Sequence, residues 1–238
     1  MLSQENAMTR ASPLSAVGPM LLVGLCFAMP SMAFACDGSP VVRMATSAAI
    51  KTFIHTQRRN VVTFVGYSGA GYETPDVMLA KAGQLLDTFQ PTTTIINIGA
   101  TAEGIGAVYP LAKEKGFTTM GIVSQLALDN KVALSPCVDY VFVVKDRTWG
   151  GRLPGSKTLA PTSAAMLANS SAIIGFGGGD IARDEMQAAK AGGKAVTFFA
   201  ADMNHQLARD KALKKGLPAV TDFRGTADAA FESAKPAQ

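Results

Sequence analysis

Histidine and tryptophan are nearly missing from this 238-residue chain, which has two of the first and one of the second. Cysteine occurs three times, as Cys26, Cys36 and Cys137. With two histidines and no paired cysteines beside either, no metal site is expected and no cofactor is implied. Charge is sparse too: 17% of residues are charged, and the net charge is only +4. That balance favours small anions over neutral ligands. It gives no basic run, and the few aromatics form no stacking platform, so nucleic acid is not an expected partner. A Gly-x-Ser-x-Gly elbow and a Walker lysine motif are both lacking, which argues against a serine hydrolase and a P-loop NTPase. No internal repeat is evident. What the chain does have is 48% hydrophobic residues and 23 glycines, enough for one domain with a sizeable core and many tight loops.

The first 35 residues read as a leader. Arg10 precedes an apolar stretch from Ala16 to Phe34, interrupted by Pro19 and Pro30 and ending in Ala33-Phe34-Ala35. This pattern predicts a secretory signal cleaved after Ala35, with Met8 as an alternative start. The other reading is an uncleaved membrane anchor. Export to the periplasm would involve only transient contact with the secretion machinery. Cleavage would leave Cys36 as the first mature residue, and two outcomes stay open for it. It could be acylated as in a lipoprotein, or it could pair with Cys137 in an oxidising compartment. The division expected is a signal peptide over 1–35, a lead-in over 36–60 and one domain over 61–238.

Beyond the lead-in, with a short helix or irregular stretch around Ser47 to Thr56, apolar β-branched runs alternate with helical patterns. Strands are expected at Val61–Tyr67, Thr93–Ile98, Thr118–Val123, Val138–Val144, Ala172–Phe176 and Ala195–Ala200. Helices are expected near 74–89, 102–115, 162–169, 181–191, 205–215 and 226–234, with Pro75 early in the first and Gly116 ending the second. The fold class is therefore α/β, Rossmann-like and doubly wound. Its sheet is mainly parallel, with about six strands and helices on both faces. Ligands of such sheets bind outside the carboxyl ends of the strands, where strand order reverses.

Three glycine-rich turns fall at that end. They are Gly66-Tyr67-Ser68-Gly69-Ala70-Gly71, then Gly99-Ala100-Thr101-Ala102-Glu103-Gly104-Ile105-Gly106, then Gly175-Phe176-Gly177-Gly178-Gly179-Asp180. Each joins a strand to a helix N-terminus, where free N–H groups and a partial positive charge attract phosphate or carboxylate. One such turn is an ordinary βα corner; three at one end suggest a site for a nucleotide, phosphosugar or related anion.

The stretches GYSGAGYETP, NIGATAEGIGAVYPLAKEKGFTTMGIV and TSAAMLANSSAIIGFGGGDIARDE resemble the LOG family, once labelled lysine decarboxylases, and more broadly the SLOG superfamily of Rossmann-like nucleotide-binding proteins. The resemblance runs from about Val61 to Phe199. Gly66 and Ser68 match the family's Gly-x-Ser turn; Gly99, Gly104 and Gly106 match its second turn loosely. Gly178, Gly179 and Glu185 match two glycines and the glutamate of Pro-Gly-Gly-x-Gly-Thr-x-x-Glu. Gly177 stands for the proline, and Ile181 and Ala182 for the Gly-Thr pair that touches phosphate in the family. The Arg-Lys pair of the preceding helix is replaced by Thr162 and Ser163. The resemblance implies the fold, a nucleotide-like pocket and dimerisation through helices beside it. It marks Glu185 as the residue acting on an N-ribosyl bond, without the arginine that assists it.

The candidate ligand-binding residues are accordingly Gly66, Ser68, Gly69, Gly99, Thr101, Glu103, Gly104, Gly177, Gly178, Gly179, Asp180 and Ile181, with Glu185 as the candidate catalytic residue. Asp180 also reads as the N-cap of its helix, and Glu185 as a partner for Arg183. Arg147, Trp149 and Arg152 form a loop able to cover a base and phosphates. Asp202 and His205 form an acid–base pair in spacing, with Asn204 or Asp202 as a cap. The function expected is an exported binding protein for a small anion. The alternative is a phosphoribohydrolase acting on nucleoside monophosphates.

Overall fold

The computed structural model describes residues 36–232. The predicted leader lies outside these residues. No described helix is long and apolar enough to cross a membrane.

Seven strands form one parallel sheet: β1 (Val41–Met44), β2 (Asn60–Gly66), β3 (Thr94–Ile98), β4 (Thr118–Ser124), β5 (Tyr140–Val144), β6 (Ala172–Phe176) and β7 (Ala195–Phe199). Their spatial order is β1-β5-β4-β3-β2-β6-β7, and every neighbouring pair is parallel. From β2 the chain steps outward to β5, then returns to lay β6 and β7 on the other side of β2. Strand order therefore reverses between β2 and β6.

The apolar runs occupy the middle of this sheet, because a strand covered on both faces has no polar side to present. All five residues of β3 are buried, as are Val61 through Val65 of β2. The edge strand β1 is exposed along its whole length. Together with the helix Ser47–Gln57 (α1), it corrects the expectation of a lead-in outside the domain. Residues 41–57 supply a seventh strand and a covering helix, with Ile50 fully buried against Ile95, Ile122 and Phe142.

Alternate side chains of each strand pack on opposite layers. On one face Val62, Phe64, Ile96 and Ile98 meet α2 (Pro75–Leu86) and α3 (Val108–Glu114), through Met78, Ala82, Leu86, Val108 and Tyr109. On the other face α5 (Pro161–Ala168) and α6 (Asp180–Ala191) cover Val65 and Ile173 with Met166, Ala182 and Met186. A one-turn helix, α4 (Leu126–Asp129), follows β4. The described residues close with α7 (His205–Lys214) and α8 (Thr226–Glu232).

Cys36 and Cys137 form a disulfide, with Cα atoms 5.1 Å apart and 101 residues of separation. It ties the chain just before β1 to the turn before β5, the strand that β1 pairs with. A Cys36 sulfur held in this bond is not free to carry an acyl chain.

Candidate functional site

The three glycine turns meet at the carboxyl edge of the sheet, around the end of β2. The second turn wedges onto the first: the Ile105 N–H donates to the Tyr67 carbonyl at 2.7 Å. Gly104, at φ +59°, leaves no room for a side chain against the Tyr67 and Ser68 carbonyls. The third turn lies beside the first, with Gly178 at φ +123° stacked over Gly66. A Cβ on Gly178 would come within 2.6 Å of the Ala182 methyl.

Two tyrosines fill the crevice that the turns enclose. The Tyr72 hydroxyl accepts from the Tyr67 N–H at 3.2 Å and donates to the Phe176 carbonyl at 3.0 Å, so it staples β2 to β6 where strand order reverses. Tyr67 packs edge-on against it, with ring centroids 5.5 Å apart. Burial pushes the Tyr67 phenol up to about 12 and drives that of Tyr72 higher still. Tyr109 links β3 to β4 in the same manner. Its hydroxyl accepts from the Ile98 and Ala100 amides and donates to the Met120 carbonyl. The glycine pattern signalled the turns; the tyrosines between the glycines do the filling, which residue-type spacing did not reveal.

The candidate residues therefore divide. Gly177 and Gly178 are buried, and Gly66 and Gly104 are held close against neighbouring backbone or side chain. Ser68, Gly69, Gly99, Glu103, Gly179, Asp180 and Ile181 are exposed, with Thr101 half-buried. Lys211 of α7 reaches the first turn by donating to the Gly69 carbonyl at 2.7 Å; it lies 142 residues away in sequence. The N-cap of α6 is Gly179, not Asp180. Asp180 is the first helical residue, and its carboxylate pairs with Arg183 at 2.7 Å and accepts from the Thr226 hydroxyl at 2.9 Å.

Glu185 is 4% exposed. Its carboxyl accepts from the Ser163 hydroxyl at 2.6 Å, and that hydroxyl accepts from the Gly151 N–H at 2.7 Å. Desolvation raises its pKa to about 7, against a smaller lowering by the Ser163 bond and a further push from Asp184. Ser163 stands at one of the two positions that the LOG-like pattern gives to its Arg-Lys pair. The loop 146–160 closes over both side chains. Asp146 anchors the loop by accepting from the Thr162 and Thr148 amides, and the Arg152 N–H donates to Asp184. Arg183 pairs with Asp180 and Asp184, so the expected Arg183–Glu185 bridge is not made. The arrangement is a sealed serine–carboxyl pair, with no cation touching the carboxyl.

The loop's outer side borders an open recess of about 530 Å³, where Arg152 and Lys157 face Asp180, Arg183 and Asp184. Trp149 is half exposed at the loop tip. His205 contacts Asp202 at 3.2 Å as its spacing suggested and also contacts Glu73 at 3.5 Å, while Asn204 caps α7. Among the described residues, no cluster of three or more His, Cys, Asp or Glu is able to hold a metal ion.

No protein-family model matches the chain, and no curated protein matches it. Among solved structures it is similar to TM1055, a structural-genomics target, at 22% identity over 58% of this chain and 72% of that one, with a TM-score of 0.40. It is similar to the molybdenum cofactor carrier protein of Chlamydomonas reinhardtii at 18% identity, over 70% and 91% of the two chains, with a TM-score of 0.43. A third similarity is to DNA processing protein A of Streptococcus pneumoniae, at 16% identity over 74% of this chain and 62% of that one, with a TM-score of 0.41. Likeness at this level concerns the α/β fold alone and carries no argument about ligand or activity.

Proposed function

We propose that the protein is exported and binds a small anionic molecule, a nucleotide or sugar phosphate, on the rim formed by the three glycine turns. The observation that carries this reading is the meeting of those turns around β2, at the point where strand order reverses. Exposed backbone at Gly69, Gly99 and Gly179, the Ser68 hydroxyl and the first turn of α6 offer donors there to a phosphate. Lys211 adds a positive charge. The Cys36–Cys137 disulfide supports an oxidising compartment.

Catalysis of N-ribosyl hydrolysis is the weaker reading. Its general acid or base must reach the substrate, and Glu185 is sealed beneath Gly150 and Gly151 with Ser163 as its partner. Incubation with nucleoside monophosphates should release no free base above a Glu185→Gln control; release above it would restore the enzyme.

Binding is tested by thermal unfolding of residues 36–238 with nucleotides and sugar phosphates. A ligand at about a hundred times its Kd stabilises by roughly 2.7 kcal/mol. Gly99 and Gly179 are the informative positions to block, because a Cβ on either meets nothing within 4 Å. Gly99→Val and Gly179→Val should keep the fold and lose the shift. A shift retained by both variants places the ligand elsewhere, and no shift with any anion defeats the reading.

A further inference from the structure

The C-terminal segment crosses the carboxyl edge of the sheet and reaches the same turns from outside. Residues 217–225 have no regular structure and lead into α8. The Met203 N–H donates to the Phe223 carbonyl at 2.9 Å, and the Phe223 ring stacks on His205 at 3.9 Å, with the Arg209 guanidinium 5.0 Å from its centroid. Gly225 then passes so close to Gly178 that any side chain there would strike the Gly178 carbonyl. That carbonyl accepts from the Ala227 N–H at 3.0 Å.

Asp228 is the residue this path delivers. It is 1% exposed. Its carboxylate accepts from the Ala201 N–H at 3.1 Å, the Gly225 N–H at 3.3 Å and the Tyr67 hydroxyl at 3.3 Å. Three donors thus converge on an anion at the switch point of the sheet, and the anion is the chain's own. Two of the three, Ala201 N–H and Tyr67 O–H, belong to the body of the domain and stay when the segment leaves. Burial raises the Asp228 pKa, with the two amides and Tyr67 opposing and Glu232 adding a smaller push upward.

The segment is held at separate points: Thr226 also donates its hydroxyl to Asp180 at 2.9 Å. α8 has seven residues, too few to persist alone. It buries Ala227 and Asp228 and sets Phe231 against Phe198 at 5.3 Å, while Asp222, Arg224, Thr226 and Glu232 remain exposed. Terminal segments with irregular, largely exposed backbone, as over 217–226, open locally before the core.

We infer that residues 222–232 form a displaceable strap whose Asp228 carboxylate is a tethered stand-in for the phosphate of a ligand at the β2/β6 crevice. The inference rests on the anion-binding reading above and adds its regulation. A tethered carboxylate competes at an effective concentration of order millimolar. A ligand that needs the freed donors sees its apparent affinity reduced by the fraction of molecules with the strap open. Strap release therefore turns a shallow rim site into a deeper one.

The test uses the chain 36–238 with inorganic phosphate and adenosine monophosphate as probes. Hydrogen exchange without ligand comes first. The Ala227 and Asp228 amides should exchange at least about a hundredfold faster than the amides of β2 and β3; exchange at the core rate would make the strap part of the core and overturn the proposal. Calorimetry follows on Asp228→Asn, which removes the charge at constant shape, and Phe223→Ala, which loosens the strap without touching a donor. Both should bind the probes about tenfold more tightly than the native chain. Binding to the rim with equal affinity in all three proteins overturns the strap and leaves the anion reading standing. Absence of binding in all three overturns both.

Discussion

Single residues at this site have meanings that their types alone do not carry. Gly178 and Gly179 are neighbours in one motif, yet they hold opposite places. Gly178 has φ +123° and no room for a Cβ, whereas Gly179 lies in extended backbone with open space. Gly178→Ala should cost about 2–4 kcal/mol from backbone strain and the clash with Ala182, and Gly179→Ala should change stability by less than about 1 kcal/mol. Urea unfolding of the two variants checks this, and equal losses would mean the turn differs from the one described. Glu185 gives a second residue-scale prediction. Its pKa is raised from 4.5 to about 7 in the fold. The favourable contribution is therefore complete below about pH 4.5 and is lost as pH rises through 7, amounting to roughly 3 kcal/mol at 1.36 kcal/mol per unit. Glu185→Gln does not titrate. Between pH 4.5 and 7.5 the native chain should lose about 3 kcal/mol relative to the variant, and parallel profiles would show that Glu185 is already ionised within the fold.

Elements were more legible than residues. The six strands expected from apolar runs all form, and β6 has the bounds read from Ala172 to Phe176, because a strand buried on both faces must be apolar throughout. β1 escaped for the same reason in reverse. It is a four-residue edge strand exposed at every position, and a sequence such as Val41-Val42-Arg43-Met44 shows neither a buried run nor an alternation. Helix α3 begins later than its pattern suggested, since Gly104 to Ala107 wind as a tighter turn where the second glycine turn wedges against the first. The candidate site was only partly legible. Glycine spacing located the turns, but the filling of the crevice by Tyr67, Tyr72 and Asp228 depends on residues up to 161 positions apart. No local pattern encodes such a meeting. Ser163 had a faint signal, as the residue standing where the LOG-like pattern has a cation; its bond to Glu185 needed the packing of α5 on α6.

The described domain has a buried centre and more exposed margins, and the disulfide secures one of them. Strands β2, β3 and β4 are buried almost throughout, while β1 is exposed, β7 is only partly buried and the strap lies outside them. The Cys36–Cys137 bond fastens β1's end of the chain to the turn before β5. In the chain-entropy account a closed loop of about 100 residues contributes some 4–5 kcal/mol, chiefly by restricting the unfolded chain. Cys36→Ser should lower the free energy of unfolding by up to that amount. It should also raise exchange at the β1 amides first, with β2, β3 and β4 following only through global unfolding. A variant as stable as the native chain, with β1 still protected, would mean that pairing with β5 alone holds the edge. The outcome bears on the compartment as well. A domain that draws several kcal/mol from one disulfide is at risk where thiols are kept reduced, so a large loss would mean that this fold depends on an oxidising space.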